Sequence, residues 1–185
     1  SPVNALTAGL PKILWLAEHA EHNRVAHVMH QADWLTCQFT RAPGHSDVNN
    51  CLKSGYDPLS HTWPAWLDAL DLPRAWLPQV QPPGSPIAAI HPDAARQFGL
   101  LAHTLIISGT TDSHAAIVAT GAQQVGEAVT SLGSTLVLKV ISVQPVFAAE
   151  YGVYSQPFGE YWLVGGASNS GGAVLRQFFT DEQLR

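Results

Sequence analysis

Asp112 is the residue whose type and surroundings point most directly to chemistry. It follows a short β-branched run, Thr104 to Ser108, and stands among glycine and hydroxyl residues in the stretch Gly109-Thr110-Thr111-Asp112-Ser113. A carboxylate at the carboxyl end of a buried strand lies where open α/β sheets present reactive groups, and there it can take a proton from a hydroxyl nucleophile. An aspartate just before a helix also serves as an N-cap. Local sequence leaves the two roles equally open.

Two glycine-rich stretches are candidates for contact with phosphate. The first, Ser131 to Thr135, joins two predicted strands with small residues whose backbone N–H groups an anion can approach, although an ordinary hairpin turn has the same composition. The second, Gly165 to Gly172, precedes a predicted helix from Ala173 to Phe179, and the N-terminal end of a helix attracts anions. Neither stretch has the spacing of a Walker loop or of a GxGxxG fingerprint, so neither identifies a nucleotide site by itself.

Two further groupings carry less weight. A possible metal site is formed by His19, His22, His27 and His30 with Glu18 and Glu21. His19 and His22 lie one helical turn apart, but the HExxH pattern is missing and no cysteine joins the group. Their composition therefore favours the polar outer face of an amphipathic helix over a metal site. Ser113 and His114 are neighbours in sequence and point in different directions, so they do not predict a catalytic triad. We predict no metal held by the side chains of this chain.

Two differently built parts of the chain must position these residues, and they meet near Gly121. All nine histidines and eleven of the thirteen prolines lie before that point, whereas eight of the fifteen glycines follow it. The first part is predicted to be mostly helical with long connections, and the second to be mostly strands. The predicted helices cover 11–22, 34–39 with Asp33 as N-cap, a segment capped at Ser46-Asp47 that ends at Gly55, 63–70, 92–99 and 115–121. The predicted strands cover 104–108, as a buried central strand, and 128–132, 135–141, 153–155 and 161–164.

Composition limits the class of protein. Charged residues make up 12% of the 185 residues, against about 25% in an average soluble domain. A net charge of −5 without a basic cluster removes the electrostatic basis for binding nucleic acid. No apolar run reaches the ~18 residues that a membrane helix needs. Cys37 and Cys51 are too few for a disulfide framework, which favours a reducing cytoplasm.

The order of these features resembles the FGGY family of carbohydrate kinases: a Gly-Thr-Thr-Asp-Ser stretch, a helix, a Leu-Gly-Ser-Thr turn and a Gly-Gly-Ala-Ser-Asn-Ser-Gly-Gly stretch. The segments His30 to Thr36, Ser46 to Asn50 and Lys53 to Asp57 resemble first-domain helices of its ribulokinase and xylulokinase-like branches. The resemblance extends over nearly the whole chain. It implies the α/β, actin-like (ribonuclease H-like) fold of two-domain ATPases. Residues 1–121 would be the later part of the first, sugar-binding domain, and residues 122–185 the beginning of the second, nucleotide-binding domain.

The resemblance also implies a role for each candidate residue. Asp112 would be the general base that accepts the proton of the attacking sugar hydroxyl, and Ser113 would lie beside the sugar. A hinge near Gly121 would allow domain closure. The implied nucleotide contacts all lie in the second part of the chain: Gly133, Ser134, Thr135, Gly172 and Arg176.

The implied activity is transfer of the γ-phosphate of ATP, with Mg²⁺, to a hydroxyl of a sugar, and a ketopentose such as D-ribulose or D-xylulose is favoured. The implied partners are the sugar and ATP, with a homodimer as a compatible assembly and no role for nucleic acid or membrane. The family's opening strand-turn, which handles Mg²⁺ and phosphate, and its closing adenine-binding segment have no match in this sequence. We therefore expect a middle section of a larger kinase, inactive and without measurable ATP affinity by itself. The alternative is a non-enzymatic, actin-like module used for binding or assembly.

Overall fold

A computed structural model describes residues 8–184 of the chain. Within that range the chain forms two compact units, and the break between them falls between Asp112 and Ser113. Residues 113–121, which the change of composition places with the first part, belong to the second unit by their contacts. The assignment of 1–121 and 122–185 to a sugar-binding and a nucleotide-binding domain stays a prediction. None of the helices in the described range has the length and apolar character that a membrane crossing requires.

The first unit combines short helices with two small sheets. Its α-helices within the described range are α1 (Gly9–His19), α2 (Gln31–Thr40), α3 (Val48–Leu52) and α4 (Pro92–Phe98), with 3₁₀ turns at His22–Arg24, Ala65–Leu70 and Arg74–Trp76. Strand β1 (His45–Asp47) pairs in parallel with β2 (Gln79–Gln81), and β3 (Pro86–Ala89) pairs antiparallel with β4 (Leu105–Ile107). The largest apolar cluster buries one face of α1 against the 3₁₀ turns, through Leu10, Ile13, Leu67, Leu72, Trp76 and Leu77.

Two sequence signals set helix ends in this unit as predicted. Asp47 caps α3, where its Oδ1 accepts the backbone N–H of Asn49 at 2.9 Å and that of Asn50 at 3.1 Å. At the end of α4, Gly99 has a left-handed φ of +65°, a conformation that glycine adopts without steric cost. Helix α4 lies where the sequence predicts it, whereas α3 begins as predicted but ends at Leu52 rather than at Gly55.

The start of α2 corrects the prediction for Asp33. His30 is the N-cap, and Asp33 lies inside the first turn, where its Oδ2 accepts the backbone N–H of His30 at 2.9 Å. This reciprocal arrangement is a capping box. The acidic residue therefore stabilises the helix from three positions after the cap rather than from the cap itself.

The run 104–108 contains strand β4, but the prediction of a buried central strand is wrong. Among the described residues β4 pairs only with β3, and Leu105 and Ile107 are 59% and 52% exposed. An apolar, β-branched run favours an extended backbone, whereas burial depends on the layers that cover the two faces of the sheet. A two-stranded ribbon leaves these side chains open.

The second unit packs a helix against an antiparallel sheet. Helix α5 (Asp112–Ala119) starts at the last residue of the first unit, and the strands β5 (Ala128–Leu132), β6 (Leu136–Ser142), β7 (Tyr154–Phe158) and β8 (Tyr161–Ser168) lie in the order β5-β6-β8-β7. Ile117 of α5 packs against Ile141 and Leu163, which are 1% and 0% exposed. The predicted strand, turn and strand over 128–141 are confirmed.

The predicted helix over 173–179 is wrong in its extent. Helix α6 covers only Gly172–Leu175, and β8 continues through Gly165 and Gly166. A Cβ on Gly165 would lie 1.9 Å from the carbonyl oxygen of Leu138. Glycine-rich composition suggests a loop, but in this strand it permits a close approach of two backbones.

Candidate active site

The first unit contains a cleft of about 590 Å³, lined by α1, the entry to α2, α3 and the segment Thr110–Asp112. That volume lies in the range of sites for small molecules. Donors, acceptors and a carboxylate together suit a ligand with several hydroxyl groups. The polar side chains in its wall include those of Lys12, His30, Asn50, Lys53, Ser54 and Asp112.

Asp112 is the first residue of α5, and it is exposed. It lies within the helix rather than just before it, so the N-cap role that the local sequence left open does not describe its position. Ser113 follows on α5 and is half-buried. The structure places Asp112 in the cleft wall and Ser113 in the second unit.

A side-chain network that the sequence analysis missed lies in the same wall. Nδ1 of His30 lies 2.8 Å from Oδ2 of Asp33, and Nε2 of His30 lies 3.0 Å from Oγ of Ser54. The His-x-x-Asp spacing at a helix start is the signal that could have found the first contact, because a capping box brings those two positions together. Ser54 is 24 residues further along the chain and gives no such signal.

These three side chains have the connectivity of a Ser-His-Asp triad but not its surroundings. Ser54 is 1% exposed, and the backbone N–H groups of Ser54 and Gly55 already donate to carbonyls of α3. Neither N–H group is therefore available to stabilise an oxyanion. A Cβ on Gly9 would lie 2.2 Å from Oγ of Ser54, so the start of α1 packs directly on the serine. The network holds α1, α2 and α3 in place around the cleft.

In the second unit the two glycine-rich stretches lie against each other. The hairpin turn from Gly133 to Thr135 is exposed, and Gly172 donates its backbone N–H to the carbonyl of Gly133 at 2.7 Å. A Cβ on Gly171 would lie 2.3 Å from the carbonyl carbon of Thr135, so a side chain at that position would force the backbones apart. The turn residues, including Ser134, therefore share one small surface with Gly172.

Arg176 is the remaining predicted nucleotide contact, and it follows α6 as an exposed residue. Because α6 has only four residues, it lacks the aligned peptide dipoles that attract an anion to a longer helix. The expected attraction at this helix start is therefore not supported. What the turn offers a phosphate is its small residues and the hydroxyl groups of Ser134 and Thr135.

A second group of side chains that the sequence does not reveal lies between α5 and the sheet. Lys139 on β6 is 3% exposed, and its ammonium lies 4.1 Å from the centroid of the Tyr154 ring. Burial, together with the charge of Lys139, lowers the pKa of His114 to about 4, so the imidazole is neutral near pH 7. In the sequence Lys139 interrupts an apolar run, and a lone charge is typical of an exposed position.

No metal-binding group of three His, Cys, Asp or Glu side chains is present within residues 8–184. His19 and His22 instead contact backbone carbonyl oxygens of Trp15 and Ala17 at 2.8 and 2.5 Å. These contacts satisfy carbonyl groups in the last turns of α1.

Comparison with known proteins gives a consistent family. The model of the FGGY family of carbohydrate kinases, N-terminal domain, matches residues 5–119. The autoinducer-2 kinase of Klebsiella pneumoniae is 29% identical over 145 residues, which are 77% of this chain and 27% of that protein. The chain thus spans about a quarter of the length of this curated relative.

Solved structures show the same fold. The xylulose kinase from Rhodospirillum rubrum matches with a TM-score of 0.84 at 22% identity, over 94% of this chain and 36% of that one. The gluconate kinase from Lactobacillus acidophilus matches with a TM-score of 0.83 at 21% identity, over 96% of this chain and 38% of that one. The chain therefore has the fold of the matching part of these kinases, which is the actin-like ATPase fold.

Proposed function

The chain belongs to the FGGY family of carbohydrate kinases, and on this premise we propose that the polypeptide that carries it transfers the γ-phosphate of ATP to a hydroxyl of a sugar. The observation that supports this most strongly is the position of Asp112. Asp112 is exposed and lies in the wall of a cleft of about 590 Å³, whose lining also contains ammonium, amide and imidazole groups. A carboxylate so placed can accept the proton of a sugar hydroxyl as that hydroxyl attacks phosphorus. Ser113 would contact the sugar beside it.

Phosphoryl transfer depends mainly on positioning and on donors around the transferred group. Ser134 and Thr135 would supply hydroxyl groups to the γ-phosphate. Gly133, whose own N–H donates to the carbonyl of Thr135 at 3.0 Å, would let the phosphate approach the backbone closely. ATP with Mg²⁺ would supply the phosphoryl group and shield its charge. The close contact of Gly171 and Gly172 with the turn keeps side chains away from this surface, which suits the approach of a polyphosphate. Arg176 is exposed nearby in sequence and would add a positive charge for the nucleotide.

A ketopentose, D-ribulose or D-xylulose, is the proposed substrate. Its support is the resemblance of the first-unit helices to the ribulokinase and xylulokinase-like branches, and the xylulose kinase among the similar folds. A panel of D-ribulose, D-xylulose and D-gluconate, assayed for ADP release with ATP and Mg²⁺ in the complete polypeptide, tests the proposal. We expect a kcat/KM for a ketopentose above that for gluconate; the reverse order would contradict the choice of sugar.

The role of Asp112 is tested in the same assay by Asp112→Asn. Removing a general base lowers the rate by about 10²–10⁴-fold. Asp71→Asn is the matched control, because Asp71 is exposed and has a left-handed φ of +51° that asparagine also adopts. We expect Asp71→Asn to keep the parent rate. Absence of ADP release with every sugar in the parent itself would favour the non-enzymatic, actin-like module.

We propose the cytoplasm as the location, because Cys37 and Cys51 are both free thiols and thiols persist in a reducing compartment. The proposed partners are the sugar and ATP, and a homodimer is the proposed assembly. Light scattering on the complete polypeptide should give twice the mass of one chain. A monomer mass at all concentrations would contradict the assembly alone.

A further inference from the structure

We infer that Asn49 is a positioning residue for the reaction: through its hydrogen bond to Thr110 it holds the segment that ends at Asp112. Asn49 donates from Nδ2 to Oγ1 of Thr110 at 3.0 Å, across a separation of 61 residues in the chain. The inference rests on the proposed function, because it requires Asp112 to be the base.

The segment from Gly109 to Thr111 has no regular secondary structure, so its position depends on side-chain contacts such as this one. On its N-terminal side Ser108 is anchored: its N–H donates to Ser85 at 2.8 Å, and its carbonyl accepts the N–H of Gly84 at 2.9 Å. Gly109 then lies in open space, since a Cβ there would have no atom within 4 Å. The hydrogen bond from Asn49 therefore holds the side chain of Thr110, which lies between that anchor and the start of α5.

Asn49 is itself held rigidly. It is 0% exposed, and its backbone N–H donates to Oδ1 of the buried Asp47 at 2.9 Å. Oδ2 of the same carboxylate accepts a hydrogen bond from Nδ2 of Asn50 at 2.6 Å. The flanking residues Val48 and Cys51 are buried in one apolar cluster. A buried side chain on a capped helix has little freedom, so the position of Thr110 follows that of α3.

This contact matters for the chemical step more than for binding. A general base must lie within hydrogen-bond reach of the proton it abstracts, and a displacement of about 1 Å can lower the rate about 10²-fold. Thr110 is two residues before Asp112, so loss of its hydrogen bond should shift the carboxylate relative to the sugar hydroxyl. Loss of the contact should therefore lower kcat and leave the KM for the sugar nearly unchanged.

The test uses Thr110 because Asn49 is fully buried and its replacement could prevent folding. Thr110→Val keeps the shape and removes the acceptor, whereas Thr110→Ser keeps the acceptor and is the matched control. In the complete polypeptide we expect Thr110→Val to lower kcat at least about tenfold with KM changed less than about threefold, and Thr110→Ser to stay within about twofold of the parent in both. A Thr110→Val variant with the parent's kcat would overturn the inference. So would a rise in KM at constant kcat, because that result assigns the hydroxyl to the sugar.

Hydrogen exchange provides a readout that does not depend on activity. The amides of residues 109–112 should exchange faster in Thr110→Val than in the parent, and at the parent's rate in Thr110→Ser. Unchanged exchange in Thr110→Val would overturn the positioning role even if kcat fell. A parent protein with no sugar-dependent ADP release would overturn the proposed function, and this role with it; an active parent with an unaffected Thr110→Val would overturn the positioning role alone.

Discussion

His114 makes the stability of the second unit depend on pH. Burial, and secondly the charge of Lys139, lower its pKa to about 4 in the folded chain, whereas in the unfolded chain the pKa returns to about 6.5. Well above pH 6.5 the ring is neutral in both states and contributes no pH dependence. As the pH falls below 6.5, the unfolded chain binds a proton that the folded chain excludes. The free energy of unfolding therefore decreases down to about pH 4.

The size of this effect follows from the difference in pKa between the two states. A fall from 6.5 to about 4, at about 1.36 kcal/mol for each pKa unit, corresponds to about 3 kcal/mol. Glu127 adds to the loss at the acidic end, because hydrogen bonds from the backbone N–H groups of Gln124 and Gln123 lower its pKa. A comparison with a non-titrating variant is therefore needed to isolate the histidine.

His114→Phe is that variant. It keeps an aromatic ring beside Phe158, whose centroid lies 5.4 Å from that of His114, and it cannot bind a proton. Urea unfolding that is monitored through hydrogen exchange of the amides in β6 and β8 reports on the second unit alone. Between pH 7 and pH 4 we expect the parent to lose about 3 kcal/mol more than His114→Phe. Equal losses would refute the reasoning. Lys139→Met should remove only part of the difference, because burial is the larger cause of the shift.

Two further predictions concern stability. Gly171→Ala should destabilise the second unit by about 1–3 kcal/mol in urea unfolding, because its Cβ would meet the backbone of Thr135 at 2.3 Å. Gly133→Ala is the control, with its nearest atom at 3.8 Å, and an equal loss in both variants would argue against the steric cause. Asp47→Ala should cost the first unit about 0.5–2 kcal/mol through loss of the α3 cap. Asp47→Asn should cost less, since burial already raises the pKa of Asp47 and asparagine keeps an oxygen acceptor; a greater loss for Asn than for Ala would contradict the capping role.

Local signals in the sequence predict local structure well. The cap at Asp47, the left-handed Gly99 and the hairpin over 128–141 each depend on a few adjacent residues, and all three are present. The family is also recognisable from the order of short motifs around Asp112 and Gly133, and the match over 5–119 confirms it.

Features that depend on packing are not visible in the sequence. Burial of β4 depends on the layers around it, and Leu105 is 59% exposed despite its apolar surroundings in the chain. Gly165 lies within β8, where the absence of a side chain lets the neighbouring backbone come close. Composition alone does not distinguish such a glycine from one in a loop. The contact between His30 and Ser54 joins residues that are distant in sequence. The same is true of the contact between the buried Lys139 and the ring of Tyr154. Such contacts form only when the elements pack together.

The most direct test of Asp112 as the base is the rate of phosphoryl transfer in a single turnover, measured by rapid quench with saturating sugar and ATP in the complete polypeptide. We predict that Asp112→Asn lowers this rate by about 10²–10⁴-fold, while the Kd for the sugar changes by less than about tenfold, because the proton moves only in the chemical step. Transfer at the parent's rate in Asp112→Asn would contradict the assignment of Asp112 as the general base.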